Sequence, residues 1–341
     1  MSHSAHTKSS STEQKSNQAT SVSTADSANK PIVKVAAPRF SWRFLLPKYW
    51  LIWFGAFILF CLIQLPYPLI RKMGNGFGRL LYKLAPKRVN VAKKNIKLCF
   101  PHWTDAQCQA VFESNIKRTG NALFETAMGW WWPAWRVQKH CKVEGFEPVK
   151  QILDSGRGVF GLALHNVNIE FACRGIGYAH KSIAFYRQHN NPLMDYLQYH
   201  GRNRSNKYMI HKRNSKALIQ AMNEGELCLY LPDQDYGAKQ SIFVPFGGVE
   251  KTATTTGTLM FASRTNAAPY LLTTQYTDTG HVVKFVSEVE YLADITNKSP
   301  EEVLTQLNQD ILALVEQQPD SYLWMHKRFK SRPPEAPESL Y

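Results

Sequence analysis

The pattern of apolar and polar positions divides the chain into stretches of different character. Residues 1–38 are rich in Ser, Thr, Asn, Gln and Lys and carry almost no large apolar residue before Ile32. Such a composition cannot bury enough surface to order itself, so a disordered tail is expected. With no apolar run directly after the start, this segment is not an ordinary cleavable signal peptide. The pattern changes at Phe40, and residues 49–63 (YWLIWFGAFILFCLI) carry no charge. At 1.5 Å per residue the run covers about 22 Å, short of a hydrocarbon core of about 30 Å unless the helix continues toward Pro66. Trp42, Tyr49, Trp50 and Trp53 lie near one end and Tyr67 near the other, with Arg43, Lys48, Arg71 and Lys72 outside them. That is the aromatic and basic border of a membrane segment. Residues 39–70 are therefore expected to form a membrane-anchoring, transmembrane helix, with a buried core helix as the alternative.

Residues 71–341 read as one larger domain. Val89, Ala92, Ile96 and Cys99 fall at helical spacing while Lys93, Lys94 and Lys97 occupy other faces, as suits a helix on an anionic membrane or one with a solvated basic face. A helix over 106–126 is opened by Thr104 and Asp105 as cap candidates. Trp130, Trp131, Trp132 and Trp135 follow, as core or as an interfacial patch. From Gly156 onward, strand-like runs at 158–164 (GVFGLAL), 182–186, 226–231 (ELCLYL), 270–276 and 282–286 appear. Helical patterns at Pro192–Asn203, Ser215–Asn223, 254–265 and Pro300–Gln317 separate several of them. Strands interleaved with helices predict an α/β fold, a sheet layered by helices.

Charge narrows the partners. Forty-one Lys and Arg against 26 Asp and Glu give a formal net charge of +15, which favours nucleic acid, anionic lipid or an acidic protein. The basic residues are spread along the chain and no nucleic-acid reading motif appears, which argues against nucleic acid. The six cysteines form no CxxC pair and no regular spacing, against both a zinc site and a disulfide framework.

The sharpest chemical signal is His165-Asn-Val-Asn-Ile-Glu170, placed immediately after the apolar run 158–164. A buried strand fixes position and the turn after it exposes the side chain, so such ends are where catalytic groups collect. Five residues correspond to about 140° on a helix, so His165 must sit in the turn for Glu170 to reach back to it. The carboxylate would then fix the tautomer and leave the other ring nitrogen as a base for an alcohol. Asp233 and Asp235 end the run 226–231, where they serve a substrate, a metal or the turn itself. Thr254, Thr255, Thr256 and Gly257 read as a helix cap or an anion site. His326, Lys327, Arg328, Lys330 and Arg332 carry enough charge to meet phosphates, carboxylates or an acidic carrier, or form a solvated tail. A metal-dependent hydrolase built on His165, Glu170, Asp233 and Asp235, and a noncatalytic protein that binds anionic lipid, are the rival readings.

Nine segments in order favour the first reading: 47–50 (PKYW), 64–68 (QLPYP), 94–101 (KNIKLCFP), 165–170 (HNVNIE), 186–192 (YRQHNNP), 231–237 (LPDQDYG), 243–247 (FVPFG), 254–257 (TTTG) and 326–333 (HKRFKSRP). With them the chain resembles the lipid A late acyltransferases, in particular the lauroyl and palmitoleoyl branch, over nearly everything after residue 46. The resemblance implies an α/β acyltransferase fold of glycerolipid-acyltransferase type, with a central mixed sheet flanked by helices. It implies an enzyme of the inner membrane whose active site faces the cytoplasm, in lipopolysaccharide biosynthesis. It puts the catalytic dyad on His165 and Glu170 and sets Arg187 near the reacting carbonyl, where a guanidinium stabilises an oxyanion or holds a phosphate. An acyl-[acyl carrier protein] as donor and Kdo2-lipid IVA or its partly acylated product as acceptor are likewise implied, with Asp233, Asp235, Lys327 and Arg328 as substrate-binding candidates. No metal or organic cofactor is called for.

Overall fold

The computed structural model of the protein describes Met1, residues 31–293, residue 295 and residues 298–341. The expected tail at 1–38 lies outside the described residues except for Met1 and 31–38. Ile32–Tyr341 is one compact unit, separate from Met1–Pro31.

The strands are β1 (Cys141–Glu144), β2 (Val159–Ala163), β3 (Ser182–Tyr186), β4 (Asn206–His211), β5 (Leu227–Tyr230), β6 (Ser241–Phe246), β7 (Val249–Thr255), β8 (Ala268–Tyr276) and β9 (His281–Glu288). Seven of them form a central sheet in the order β1-β9-β8-β2-β5-β3-β4, and β6 and β7 pair as a separate hairpin. Only β8 and β9 run antiparallel in the central sheet, so the sheet is mixed, as expected. Strand β2 is buried along its whole length, which is why its sequence is apolar at every position rather than alternating. Its Phe160 and Leu162 pack into one core and Val159 and Ala163 into another, one on each face of the pleat.

Helices α1 (Trp50–Leu62), α2 (Tyr67–Leu84), α3 (Pro86–Cys99) and α4 (Asp105–Trp131) precede the sheet. Next, α5 (Ala134–His140) leads into β1, α6 (Phe146–Asp154) into β2, α7 (Ile169–Ala179) into β3, α8 (Pro192–Asn203) into β4 and α9 (Ser215–Asn223) into β5. Then α10 (Gly257–Ala262) precedes β8, and α11 (Glu290–Ala293) and α12 (Pro300–Gln317) follow β9. Thr104 opens α4 with a reciprocal cap to Gln107, so the cap expected at this end is present. Helices α2 and α4 meet backbone to backbone at Gly74, Gly78 and Gly120, where any side-chain carbon would overlap the opposing helix. The helix expected at 254–265 is shorter, because Thr254 and Thr255 are the last residues of β7; β-branched threonines suit the pleated ladder better than a helix.

The expected anchor is also shorter than a span. Helix α1 has 13 residues, about 20 Å of rise, and the chain breaks at 63–66 before α2 starts in a new helix. Among the described residues no helix is long and apolar enough to cross a membrane. No residue of α1 is buried, and Trp50, Leu51, Phe54, Phe57 and Phe60 are exposed. The preceding segment docks on α8, with Phe44 and Tyr49 packed against Leu193 and the Trp53 Nε1–H donating to Phe44 O at 2.9 Å.

Candidate active site

Strands β2, β5 and β3 are adjacent and parallel, so their C-terminal ends open on one edge of the sheet. His165 follows β2, Asp233 follows β5 and Arg187 follows β3, which brings three chemically capable side chains to the edge where α/β sheets bind ligands. Asp233 is completely buried, and both of its oxygens serve His165. Oδ2 accepts the His165 backbone N–H at 2.9 Å and Oδ1 lies 2.6 Å from Nδ1. Burial pushes the Asp233 carboxyl up, but the charge of His165 and its hydrogen bonds outweigh this and hold the carboxyl below its ordinary range. An ionised Asp233 fixes the Nδ1–H tautomer and leaves Nε2 as an acceptor. The His165 side chain is 23% exposed, enough for that nitrogen to meet a substrate.

The turn that carries His165 is held from two sides. Leu323 N–H donates to His165 O at 2.9 Å and Val167 N–H donates to Ser321 O at 2.8 Å, while Tyr322 O–H reaches Asp233 O at 3.3 Å. Beneath the turn, Asn166 Nδ2 donates to Thr274 O at 2.7 Å, and Asn168 accepts from Thr274 Oγ1 at 2.6 Å. Asn168 Nδ2 lies 3.0 Å from His281 Nδ1, and His281 Nε2 lies 3.1 Å from the Tyr67 hydroxyl. Burial lowers the His281 pKa to about 3, so this imidazole is neutral. Nearby, burial raises the Glu125 pKa to about 8, and Tyr276 O–H donates to it at 2.8 Å.

Glu170 lies in the first turn of α7 and is engaged elsewhere. Arg202 of α8 forms an ion pair with it and reaches Oε2 through Nε at 3.2 Å, and Trp130 Nε1–H donates to Oε2 at 3.4 Å. Trp130 and Trp131 also line an apolar groove of about 550 Å³, shared with Leu51 and Leu59 of α1, Leu123 and Phe124 of α4, and Met194 and Leu197 of α8.

The model of the family described as bacterial lipid A biosynthesis acyltransferase matches residues 37–331. The chain belongs to that family. Among its relatives, the lipid A biosynthesis palmitoleoyltransferase of Escherichia coli (strain K12) is 37% identical over 297 residues, covering 86% of this chain and 96% of the relative. The lipid A biosynthesis lauroyltransferase of the same organism is 34% identical over 303 residues, 88% of this chain and 98% of the relative. The lipid A biosynthesis myristoyltransferase of that strain is 26% identical over 305 residues, so the likeness is greater to the lauroyl and palmitoleoyl branch. The protein is an acyltransferase of lipid A biosynthesis.

In this acyltransferase the hydrogen bond expected between Glu170 and His165 is made by Asp233 instead, because β5 lies next to β2 and delivers its carboxylate directly under the ring. Asp233 is thus closed off by His165 rather than open to a substrate. Asp235 braces the turn, accepting from Gly237 N–H at 2.8 Å, Ser331 N–H at 2.6 Å and Ser331 Oγ at 2.8 Å. Arg328 is only 3% exposed and donates to Ala253 O at 2.6 Å, so it is a core cation and not a surface one. Lys327 is exposed, with its ammonium 5.1 Å from the Tyr341 ring. Arg187 is exposed, and its guanidinium has no hydrogen bond or ion pair among the described residues. His326, read from sequence only as part of a basic cluster, stands at the site: its Nε2 faces the Asp235 N–H at 3.4 Å, and burial and the neighbouring His165 lower its pKa. No sequence pattern marks the segment around Tyr322 that grips the His165 turn.

Proposed function

We propose that this acyltransferase moves a long fatty acyl chain from the thioester of an acyl carrier protein to a hydroxyl of Kdo2-lipid IVA or its partly acylated product, with His165 as general base. One observation carries the reading: Asp233 takes the Nδ1–H of His165 and leaves Nε2 free at the sheet edge. Nε2 removes the acceptor proton as the oxygen adds to the thioester carbonyl. Collapse of the tetrahedral adduct forms the ester and expels the carrier thiolate, which takes the proton back from the imidazolium. Arg187, an exposed cation on the same edge, stabilises the oxyanion or holds a substrate phosphate. The names of the relatives supply the acyl class, and the groove of about 550 Å³ beside Glu170 has the size and apolar lining of a ligand pocket and receives the chain. Glu170, paired with Arg202 and bonded to Trp130, shapes the polar rim of that groove.

The enzyme works at the cytoplasmic face of the inner membrane, with α1 lying in the headgroup region. Its exposed aromatic and aliphatic side chains and the absence of any acidic residue over 27–104 support this placement. Purified enzyme given Kdo2-lipid IVA and either acyl carrier protein or coenzyme A thioesters tests donor and acceptor together. The expected product is a mass increase of one acyl group, with the carrier thioester favoured and its KM rising with salt. Equal use of coenzyme A thioesters with no salt dependence removes the carrier from the proposal.

A further inference from the structure

Segments 94–101 and 326–333 are far apart in the chain and contribute neither His165 nor Asp233, yet Asn95 of the first bonds the carbonyl of His326 of the second, and His326 stands at the site. The stretch from Asp320 to His326 consists of a 3-10 turn at Pro319–Ser321, a single bridged residue at Tyr322 and a further turn. One side of it grips the His165 turn through Ser321 O and Leu323 N–H, and Tyr322 O–H reaches the Asp233 carbonyl. Being irregular, it has no ladder to satisfy its remaining carbonyls, and buried carbonyls demand partners. Two asparagines supply the partners of Asp320 O and Trp324 O and add a second one at Tyr322 O and His326 O, which also accept the N–H groups of Trp324 and Arg328 at 2.9 Å. Asn115 of α4 donates to Asp320 O at 2.9 Å and Tyr322 O at 2.8 Å. Asn95 of α3 donates to Trp324 O at 2.7 Å and His326 O at 2.6 Å. Both side chains are buried, and each spends both amide hydrogens on the segment. A helix uses its own backbone N–H groups internally, so a short side-chain amide is how α3 and α4 can hold this stretch. Tyr341 O–H donates to Asn95 Oδ1 at 2.5 Å and fixes which way that amide points.

We propose that Asn95 and Asn115 are positioning residues for the His165–Asp233 pair, acting through the segment from Asp320 to His326, which they hold by four carbonyls. The inference rests on His165 being the base. Loosening either amide moves the segment, and with it His165 O and the Asp233 backbone, away from the geometry in which Nε2 meets the acceptor. An error of about 1 Å in such geometry costs on the order of 10²-fold in rate.

The test is a set of variants in the full-length enzyme: Asn95→Asp, Asn115→Asp and Tyr341→Phe, each alone and combined with His165→Ala, assayed with Kdo2-lipid IVA and acyl carrier protein thioester. Aspartate keeps the shape and removes both donors. The expected result is a fall in kcat of about 10- to 100-fold for either asparagine variant, with KM within about threefold. The gentler Tyr341→Phe should lose about 2- to 10-fold, as the hydroxyl's bond to Asn95 Oδ1 and the one it accepts from Phe329 N–H disappear at a half-buried side chain. In the His165→Ala background none of the three should cost anything further, because the residue they act through is gone. If the aspartate variants do not fold, the Tyr341→Phe cycle decides for Asn95, the residue it touches, and the neutral Asn115→Ser, which keeps at most one donor, decides for Asn115 in the same cycle. Losses that multiply unchanged onto His165→Ala, or single variants as active as wild type, overturn the positioning role. Near-normal turnover by His165→Ala itself would instead remove the base on which the inference stands.

Discussion

Asp233→Asn separates the two carboxylates that compete for the role of orienting His165. Both oxygens of Asp233 accept from His165, one from its backbone N–H and one from Nδ1. Asparagine offers one acceptor and one donor to those two positions. Either its NH₂ opposes the backbone N–H, donor against donor, or it faces Nδ1 and forces the ring proton onto Nε2. The backbone N–H cannot change its role, so the second arrangement prevails, and a ring protonated at Nε2 cannot take the acceptor proton. The side chain is fully buried, so solvent does not offset the mismatch. In a Ser-His-Asp triad the same exchange costs about 10⁴ in kcat, and here a loss of about 10³ to 10⁴ is expected. That corresponds to about 4 to 5.5 kcal/mol of transition-state stabilisation. Asp233→Ala imposes no tautomer and should retain more activity than Asp233→Asn. Glu170→Gln breaks the pair with Arg202 but leaves the tautomer alone, and should lose about tenfold or less. Initial rates at saturating donor and acceptor, read by mass of the lipid product on folded protein, give the comparison. An Asp233→Asn enzyme within tenfold of wild type beside a Glu170→Gln enzyme down by about 10³ would refute the assignment and return the orienting role to Glu170.

Replacing Phe54 and Phe57 of α1 by Ser should weaken binding to vesicles containing anionic lipid while leaving the fold intact, since both rings are exposed; unchanged vesicle binding would move the membrane contact to another face. Glu125 is raised from 4.5 to about 8 on folding, so between these values the folded state binds a proton that the unfolded state releases, and stability falls as pH rises. His281, lowered from 6.5 to about 3, acts in the opposite sense below pH 6.5, so the net decline is clearest from about pH 6.5 to 8 and should flatten in Glu125→Gln, as read by thermal unfolding across that range.

Much of the frame is legible in the sequence because it depends on local pattern. The continuous apolar run of β2 and the helices Pro192–Asn203, Ser215–Asn223 and Pro300–Gln317 stand where periodicity puts them, the last with a reciprocal Ser299 and Glu302 cap. What escapes depends on neighbours in space. The partner of His165 lies 68 positions along the chain, and β3 and β4 intervene in sequence between β2 and β5, so only the strand order brings Asp233 beneath the ring. Strand β4 is polar at both ends and sits at the sheet edge, and β6 and β7 form a hairpin outside the central sheet, where Pro245 interrupts the apolar run of β6 and β7 is mostly threonine and charge. The charges of 326–332 read as a surface, yet Arg328 fills a core position against the Phe246 ring, because an arginine with its donors on carbonyl and hydroxyl oxygens can be buried. Trp130 to Trp132 divide as sequence could not foresee: Trp132 is fully buried while the other two line the groove.

In the proposed reaction the imidazole freed at Nε2 by Asp233 is the base of acyl transfer. Its most direct test is the turnover of purified, folded His165→Ala with Kdo2-lipid IVA and acyl carrier protein thioester, followed by mass of the acylated lipid. The expected result is a loss of about 10² to 10⁴ in kcat, with thermal unfolding and acceptor binding close to wild type. A folded His165→Ala enzyme that acylates the lipid within a few-fold of wild type would contradict it.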